Sequence, residues 1–276
     1  MPRIQARLTP LHQPPPMIFA TLPRLLSRLL VACIVSVSGL ARAANDSLPS
    51  LLAAARVAEN RLDPAGALDL LLAADRLQPD NAAILQRISR QYSDLVIDAS
   101  DDTEKKRLEA RSLDYAQRAV ALAPNDAVNV LSLAIAYGKL GLLSDVRTRI
   151  DYSRRTHDLA TQALALAPNY AYAHHVLGHW HYAVAALGPG QRFVVRVVYG
   201  GLPPASTAEA VRHLRRATEL EPGVAAHFAE LGFALQADGQ AAAARTAWEH
   251  ALTLPVRDKY DQDCLARVRT RLDRRP

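Results

Sequence analysis

The chain has 276 residues, half of them hydrophobic but only 5% aromatic, and Ala and Leu dominate. That length allows a sizeable core or a stack of repeats, and the Ala/Leu bias suits close-packed helices better than sheets. Formal net charge is +6, but five of the 33 basic residues (Arg3, Arg7, Arg24, Arg28 and Arg42) fall in residues 1–44, which hold no acid, leaving 28 basic against 27 acidic residues in the rest; a body so close to neutral offers no broad phosphate-binding field, which argues against nucleic acid as a partner.

Residues 1–43 read as a secretory signal. Arg24 and Arg28 supply positive charge ahead of the apolar run Leu29–Leu40, which falls within the usual span of about 7–15 residues and is too short to cross a bilayer comfortably. Ala41-Arg42-Ala43 then matches an A-x-A cleavage pattern, so cleavage is predicted after Ala43. The stretch before Met17 is unusual for a signal, and initiation at Met17 would give a more ordinary length. An alternative reading takes Leu30-Val31-Ala32-Cys33 as a lipobox and Cys33 as a lipid anchor, but only four apolar residues separate Arg28 from that cysteine. The expected location is therefore periplasmic or secreted, with no stable membrane insertion after cleavage. Loss of Cys33 would leave Cys264 alone and rule out an intrachain disulfide.

Residues 44–276 carry an internal repeat. Ala67, Leu71, Ala74 and Pro79 have the spacing A-x3-Φ-x2-A-x4-P; Ser112, Ala116, Ala119 and Pro124 repeat it, as do Thr156, Ala160, Ala163 and Pro168, and Ala210, Leu214, Ala217 and Pro222. A fifth copy, Ala244, Trp248 and Ala251, ends one residue early at Pro255. This is the second half of the tetratricopeptide pattern, a helix pair of about 34 residues. Residues three and four apart share one helix face, so small side chains there let two helices lie close, and Pro ends the second helix. First helices match as well: Leu133, Ala134, Tyr137 and Gly141; Leu177, Gly178 and His181; Leu231, Gly232, Leu235 and Gly239; and, more weakly, Ile88, Ser89 and Tyr92. The fold expected is an all-α solenoid of four to five antiparallel helix pairs.

The spacing is irregular. Relative to the standard repeat, about ten extra residues separate Tyr92 from Ser112, about ten separate Gly141 from Thr156, and about twenty separate His181 from Ala210. The last insert contains FVVRVVY, whose propensity is that of a strand. A lone strand among helices would have no pairing partner, so a short helix is expected, with Phe193, Val194, Val197 and Val198 packed inward before a Gly-Gly/Pro-Pro turn.

From roughly Leu85 onward, this order of features resembles the regulator of microtubule dynamics family, whose tetratricopeptide-like repeats are irregular. The resemblance is most specific in Lys105–Asp126, in Arg147–Tyr170 and in Ala173–Gly223, where His175, Gly178, Trp180, Pro203, Pro204, Ser206, Thr207, Glu209 and Ala210 fit an H-x-x-G-x-W … P-P-x-S-T-x-x-E-A segment. Asn129–Gly141 departs from it, lacking an aromatic-rich stretch. The resemblance implies the fold and a protein-binding role. Animal members are anchored to membranes inside the cell and linked to microtubules, a partner that an exported protein would not meet.

Four histidines crowd one first helix: His174, His175, His179 and His181, around Trp180. His175 and His179 are four apart, a spacing that can hold a metal, with His157 or His213 as a further ligand. Against this, His181 fills the Tyr slot of the repeat and the His175/Trp180 pair matches the family pattern, so packing and hydrogen bonding are the expected role. No H-E-x-x-H, C-x-x-C-H, phosphate loop or G-x-S-x-G occurs in the sequence. The arginines near the C-terminus, Arg267, Arg269, Arg271, Arg274 and Arg275, suit the end of a helix.

The function expected is therefore a non-enzymatic adaptor, without cofactor or metal, that binds another protein's peptide or helix in the concave face of the array. The groove residues predicted are Gln86, Arg90, Asn129, Tyr137, His174, His181, His227 and Leu235. The repeat framework is Ala74, Pro79, Ala119, Pro124, Ala163, Pro168, Gly178, Trp180, Pro203, Pro204, Ala217, Pro222 and Gly232. The alternative is a metal-binding protein or metal-dependent enzyme built on His174, His175, His179 and His181.

Overall fold

The computed structural model describes residues 47–273. The expected signal, with Met17, Cys33 and the cleavage point after Ala43, lies outside the described residues, as do Arg274 and Arg275. The described residues form twelve α-helices and no strand. Five pairs are α1 (Leu48–Asn60) with α2 (Pro64–Leu77), α3 (Ala82–Asp98) with α4 (Asp102–Leu122), α5 (Ala127–Leu142) with α6 (Val146–Leu166), α7 (Ala171–Ala185) with α9 (Thr207–Leu220), and α10 (Ala225–Ala237) with α11 (Ala241–Ala251). Helix α8 (Pro189–Tyr199) interrupts the fourth pair, and α12 (Lys259–Asp273) follows the fifth.

The repeat signature does the packing it predicts. Ala67, Ala74, Ala116, Ala119, Ala160, Ala163, Ala210, Ala217, Ala244 and Ala251 are all fully buried. The second helices α2, α4, α6 and α9 stop at Gln78, Ala123, Ala167 and Glu221, each directly before its proline, with φ of −135°, −140°, −142° and −132°. A residue preceding proline is pushed out of the helical region, so each Pro sets the end one residue upstream. Asn81 and Asp126 then start α3 and α5 by accepting hydrogen bonds from Ala83 N–H and Ile84 N–H, and from Val128 N–H and Asn129 N–H.

Two glycines permit close crossings. A Cβ on Gly178 would come within 2.5 Å of Leu214 Cγ, and one on Gly232 within 2.2 Å of Trp248 Nε1. Without side chains there, α7 lies against α9 and α10 against α11, and Trp248 Nε1–H reaches the carbonyl of Ala229 at 3.1 Å. The two ten-residue excesses are extra helical turns: α4 and α6 each run for 21 residues.

The twenty-residue insert forms the expected helix, but its face is reversed. Phe193, Val194, Val197 and Val198 are exposed, Phe193 at 67%. Helix α8 packs on α6 and turns Val195 and Tyr199 inward. Polar contacts hold it: Arg192 donates to the carbonyls of Leu187 and Ala185, and Arg154 on α6 donates to those of Gly201 and Tyr199. Gly200 ends it with φ of 77°, a left-handed conformation that glycine adopts without strain. With one neighbour and fixed ends, α8 cannot bury both apolar stripes.

Helix α12 turns back across the first helices. Arg90 on α3 pairs with Asp258 at 3.0 Å, Asp98 at the end of α3 pairs with Lys259 at 2.9 Å, and Tyr260 meets His175 on α7. The N-terminus of α10 lacks a capping side chain because Val224 precedes it. Asp261 on α12 supplies one, accepting from Ala226 N–H at 2.8 Å. Cys264, Leu265 and Val268 are buried against α10 and α11. None of the described helices is long and apolar enough to cross a membrane.

Candidate functional site

Helix α7 distributes its histidines to two sides, so the four do not meet at one point. His174 and His181, seven residues apart, face α9; His175 and His179 face α10 and α12. Helical geometry requires this separation, since residues one apart are turned by about 100°.

On the α9 side the hydrogen bonds fix the protons of His174 and His213. His174 Nε2 lies 3.2 Å from the carbonyl of Pro168, which can only accept, so Nε2 carries the hydrogen and Nδ1 is a lone pair. His213 Nδ1–H therefore donates to His174 Nδ1 at 2.9 Å, leaving His213 Nε2 as a lone pair. Arg212 Nη2 donates to that nitrogen at 2.9 Å and also to Glu209 at 2.6 Å. The His181 ring runs nearly parallel to that of His213, with centroids 5.7 Å apart, and its buried Nδ1 has no hydrogen-bond partner. Burial, with Arg212 adding to it, holds His213 down to about 4, so the ring is neutral near pH 7. Trp180 closes this side, donating from Nε1 to the Ser153 carbonyl at 2.9 Å and meeting the His157 ring at 4.5 Å.

A second relay runs the other way. Glu230, wholly buried, accepts from Arg267 at 2.7 Å, from Tyr260 O–H at 3.3 Å and from His179 Nδ1 at 3.1 Å. Because the Tyr260 hydroxyl donates to that carboxylate, it accepts from His175 Nε2–H at 3.3 Å. His227 Nδ1–H then donates to His175 Nδ1 at 3.0 Å. Burial opposes ionisation of Glu230, but His179 and Arg267 more than offset it and hold the carboxyl well below its usual range. Burial holds His175 down to about 4 despite Glu230. Burial and the nearby Glu230 push the Cys264 thiol far up, so this free cysteine is unreactive.

The predicted groove residues divide by accessibility. Gln86, half-buried, lines a surface cleft between the second and third pairs with Asn81, Asp126 and Val128; Asn129 borders the same cleft but is itself buried. Arg90 remains half-exposed while paired to Asp258. Tyr137 is buried and its hydroxyl accepts from Gln117 at 3.1 Å. Leu235 is buried in the core that joins α10, α11 and α12. His174, His181 and His227 are buried in or beside the two relays. Sequence reasoning missed Glu230, Tyr260, Asp261 and Arg267. A signal for Glu230 was present: it is the only acid in the helix AAHFAELGFALQA, whose other residues are apolar apart from His227 and Gln236.

The family model described as regulator of microtubule dynamics protein 1-3 matches residues 51–275. The chain is 30% identical over 154 residues to regulator of microtubule dynamics protein 3 of Xenopus laevis, covering 56% of this chain and 33% of that protein. It is 25% identical over 146 residues to regulator of microtubule dynamics protein 1 of Mus musculus, covering 52% and 48%. The chain thus spans a third to a half of the curated relatives it matches. Among solved structures, a thermophilic TPR protein of Thermus thermophilus aligns with a TM-score of 0.60 at 19% identity, over 82% of this chain and 99% of that one, which shows a shared fold.

Proposed function

Because the chain belongs to the regulator of microtubule dynamics family, we propose that it is a non-enzymatic, exported adaptor that holds a helix or extended peptide of another protein against its first helices. The observation that carries this reading is α12. The first helices α3, α7 and α10 already receive a helix: α12 meets α3 through ion pairs, α7 through Tyr260 on His175, and α10 through the Arg267–Glu230 pair and the Asp261 cap, while its apolar side chains are buried against α10 and the second helix α11. That is helix-in-groove recognition, and stacked helix pairs offer a long surface for it.

The partner would use the stretch that α12 leaves open, at the starts of α3 and α5, where Gln86, Asn81 and Asp126 line the cleft; Arg90, paired to Asp258, lies on the side that α12 already covers. The microtubule role in the relatives' names is not proposed for this chain, because residues 1–43 read as an export signal. Sequencing the N-terminus of protein recovered from the periplasm should start at Ala44; a start at or before Met17 would remove the export part of the reading.

A photo-crosslinking residue at Gln86 should capture a specific partner in cells, whereas one at the exposed Arg245 on α11 should not. Equal capture of the same proteins from both positions would refute the groove assignment.

A further inference from the structure

We propose that His181, Glu209 and His213 form a three-ligand site for a first-row divalent transition metal such as zinc, with Arg212 as the cation that occupies it in the metal-free chain. One ligand atom from each of the three residues lies within 4.8 Å of the others. Glu209 and His213 stand four apart on α9, and His181 projects from α7. Two imidazoles and one carboxylate are a ligand set that zinc accepts while keeping a fourth position open for water.

Three further observations point to a cation. First, the Pro168–His174–His213 relay fixes His213 Nε2 as a lone pair, the form that binds a metal, and orients the ring from behind. Secondly, a cation is already there: the Arg212 guanidinium donates to Glu209 and to His213 Nε2. Its side chain is 59% exposed and can swing into solvent when a smaller, doubly charged ion arrives. Thirdly, the His181 Nδ1 is buried without a hydrogen-bond partner, an uncompensated cost in the metal-free chain.

Ligand atoms around a tetrahedral zinc stand roughly 3.3 Å apart, given bonds of about 2.0–2.1 Å. Closing from at most 4.8 Å therefore takes a movement of no more than about 1.5 Å. A shift of His181 would break no hydrogen bond at its Nδ1, whereas His213 Nδ1 is held by His174.

The test uses the untagged chain, freed of metal by chelation and titrated with Zn²⁺ by calorimetry and with Co²⁺ by visible absorption. One ion per chain is expected, with the intense d–d bands of a low-coordinate Co²⁺ site. Arg212→Ala, a change at an exposed side chain, should tighten binding by removing the competing cation. His213→Ala and Glu209→Gln should each weaken it by more than about 100-fold, and His174→Ala by about 10–100-fold, as for a group that orients a ligand. His250→Ala should leave it unchanged. Absence of stoichiometric binding in both the wild type and Arg212→Ala overturns the site. Retention of wild-type affinity in Glu209→Gln combined with His213→Ala does so equally.

Discussion

Replacing Glu230 with Gln isolates the charge at the centre of the α12 dock. The side chain of Glu230 is wholly buried and receives Arg267 at 2.7 Å and His179 at 3.1 Å. Glutamine keeps the shape and one acceptor for Tyr260 O–H, so the change removes two charge-assisted bonds, each worth about 1.5–3 kcal/mol net. Two effects reduce the sum. Arg267 and His179 are 39% and 42% exposed, so both can recover hydration, and the mutant is spared the desolvation cost of a buried carboxylate. A loss of about 2–4 kcal/mol remains, which for a body of this size lowers Tm by about 5–15 °C. Circular dichroism at 222 nm follows the melt, and hydrogen exchange should show residues 259–273 losing protection ahead of α10. A Tm within about 1 °C of wild type, with unchanged exchange in α12, would refute the claim that Glu230 holds that helix.

Gly232→Ala drives a methyl into the Trp248 ring and should cost about 2–3 kcal/mol despite its better helix propensity, whereas Gly190→Ala meets nothing within 4 Å and should be neutral or slightly stabilising; equal Tm values for the two would contradict the close crossing of α10 and α11. His175 is held down to about 4, so it contributes stability that is complete above its unfolded value near 6.5 and is lost as pH falls through about 4. His175→Gln should therefore flatten the dependence of unfolding free energy on pH between these values, by up to about 1.4 kcal/mol per pH unit, as read from urea melts; an unchanged slope would exclude a neutral buried His175. Glu109 is pushed up to about 7 by burial, with Lys139 and Ser93 opposing; its contribution is present below the unfolded value near 4.5 and lost as pH rises through about 7. Glu109→Gln should remove that alkaline loss in the same melts. Phe193→Ser combined with Val197→Ser changes exposed positions and should shift stability by less than about 0.5 kcal/mol. A large loss would mean that this face is covered in the folded protein.

The sequence by itself determined the pairs. A small residue every third or fourth position fixes which face of each second helix is buried, and a proline four or five residues later fixes where that helix ends; both are local effects, so Ala74 to Pro79 and Ala217 to Pro222 could be read without a structure. Gly178 and Gly232 were legible for the same reason. The direction of α8 was not, because its two apolar stripes are equivalent in sequence and only the neighbouring α6, with Arg154 reaching to Tyr199 and Gly201, selects one. The histidine crowd was legible as a crowd but not as two relays. Which side each ring serves depends on α9 and on α12, and the bond from His175 to Tyr260 joins residues 85 apart. The occupied groove belongs to tertiary structure for the same physical reason. Local pattern decides what a helix can bury, whereas Asp261 capping α10, Arg267 reaching Glu230 and Asp258 reaching Arg90 depend on where the chain returns, which no local pattern encodes.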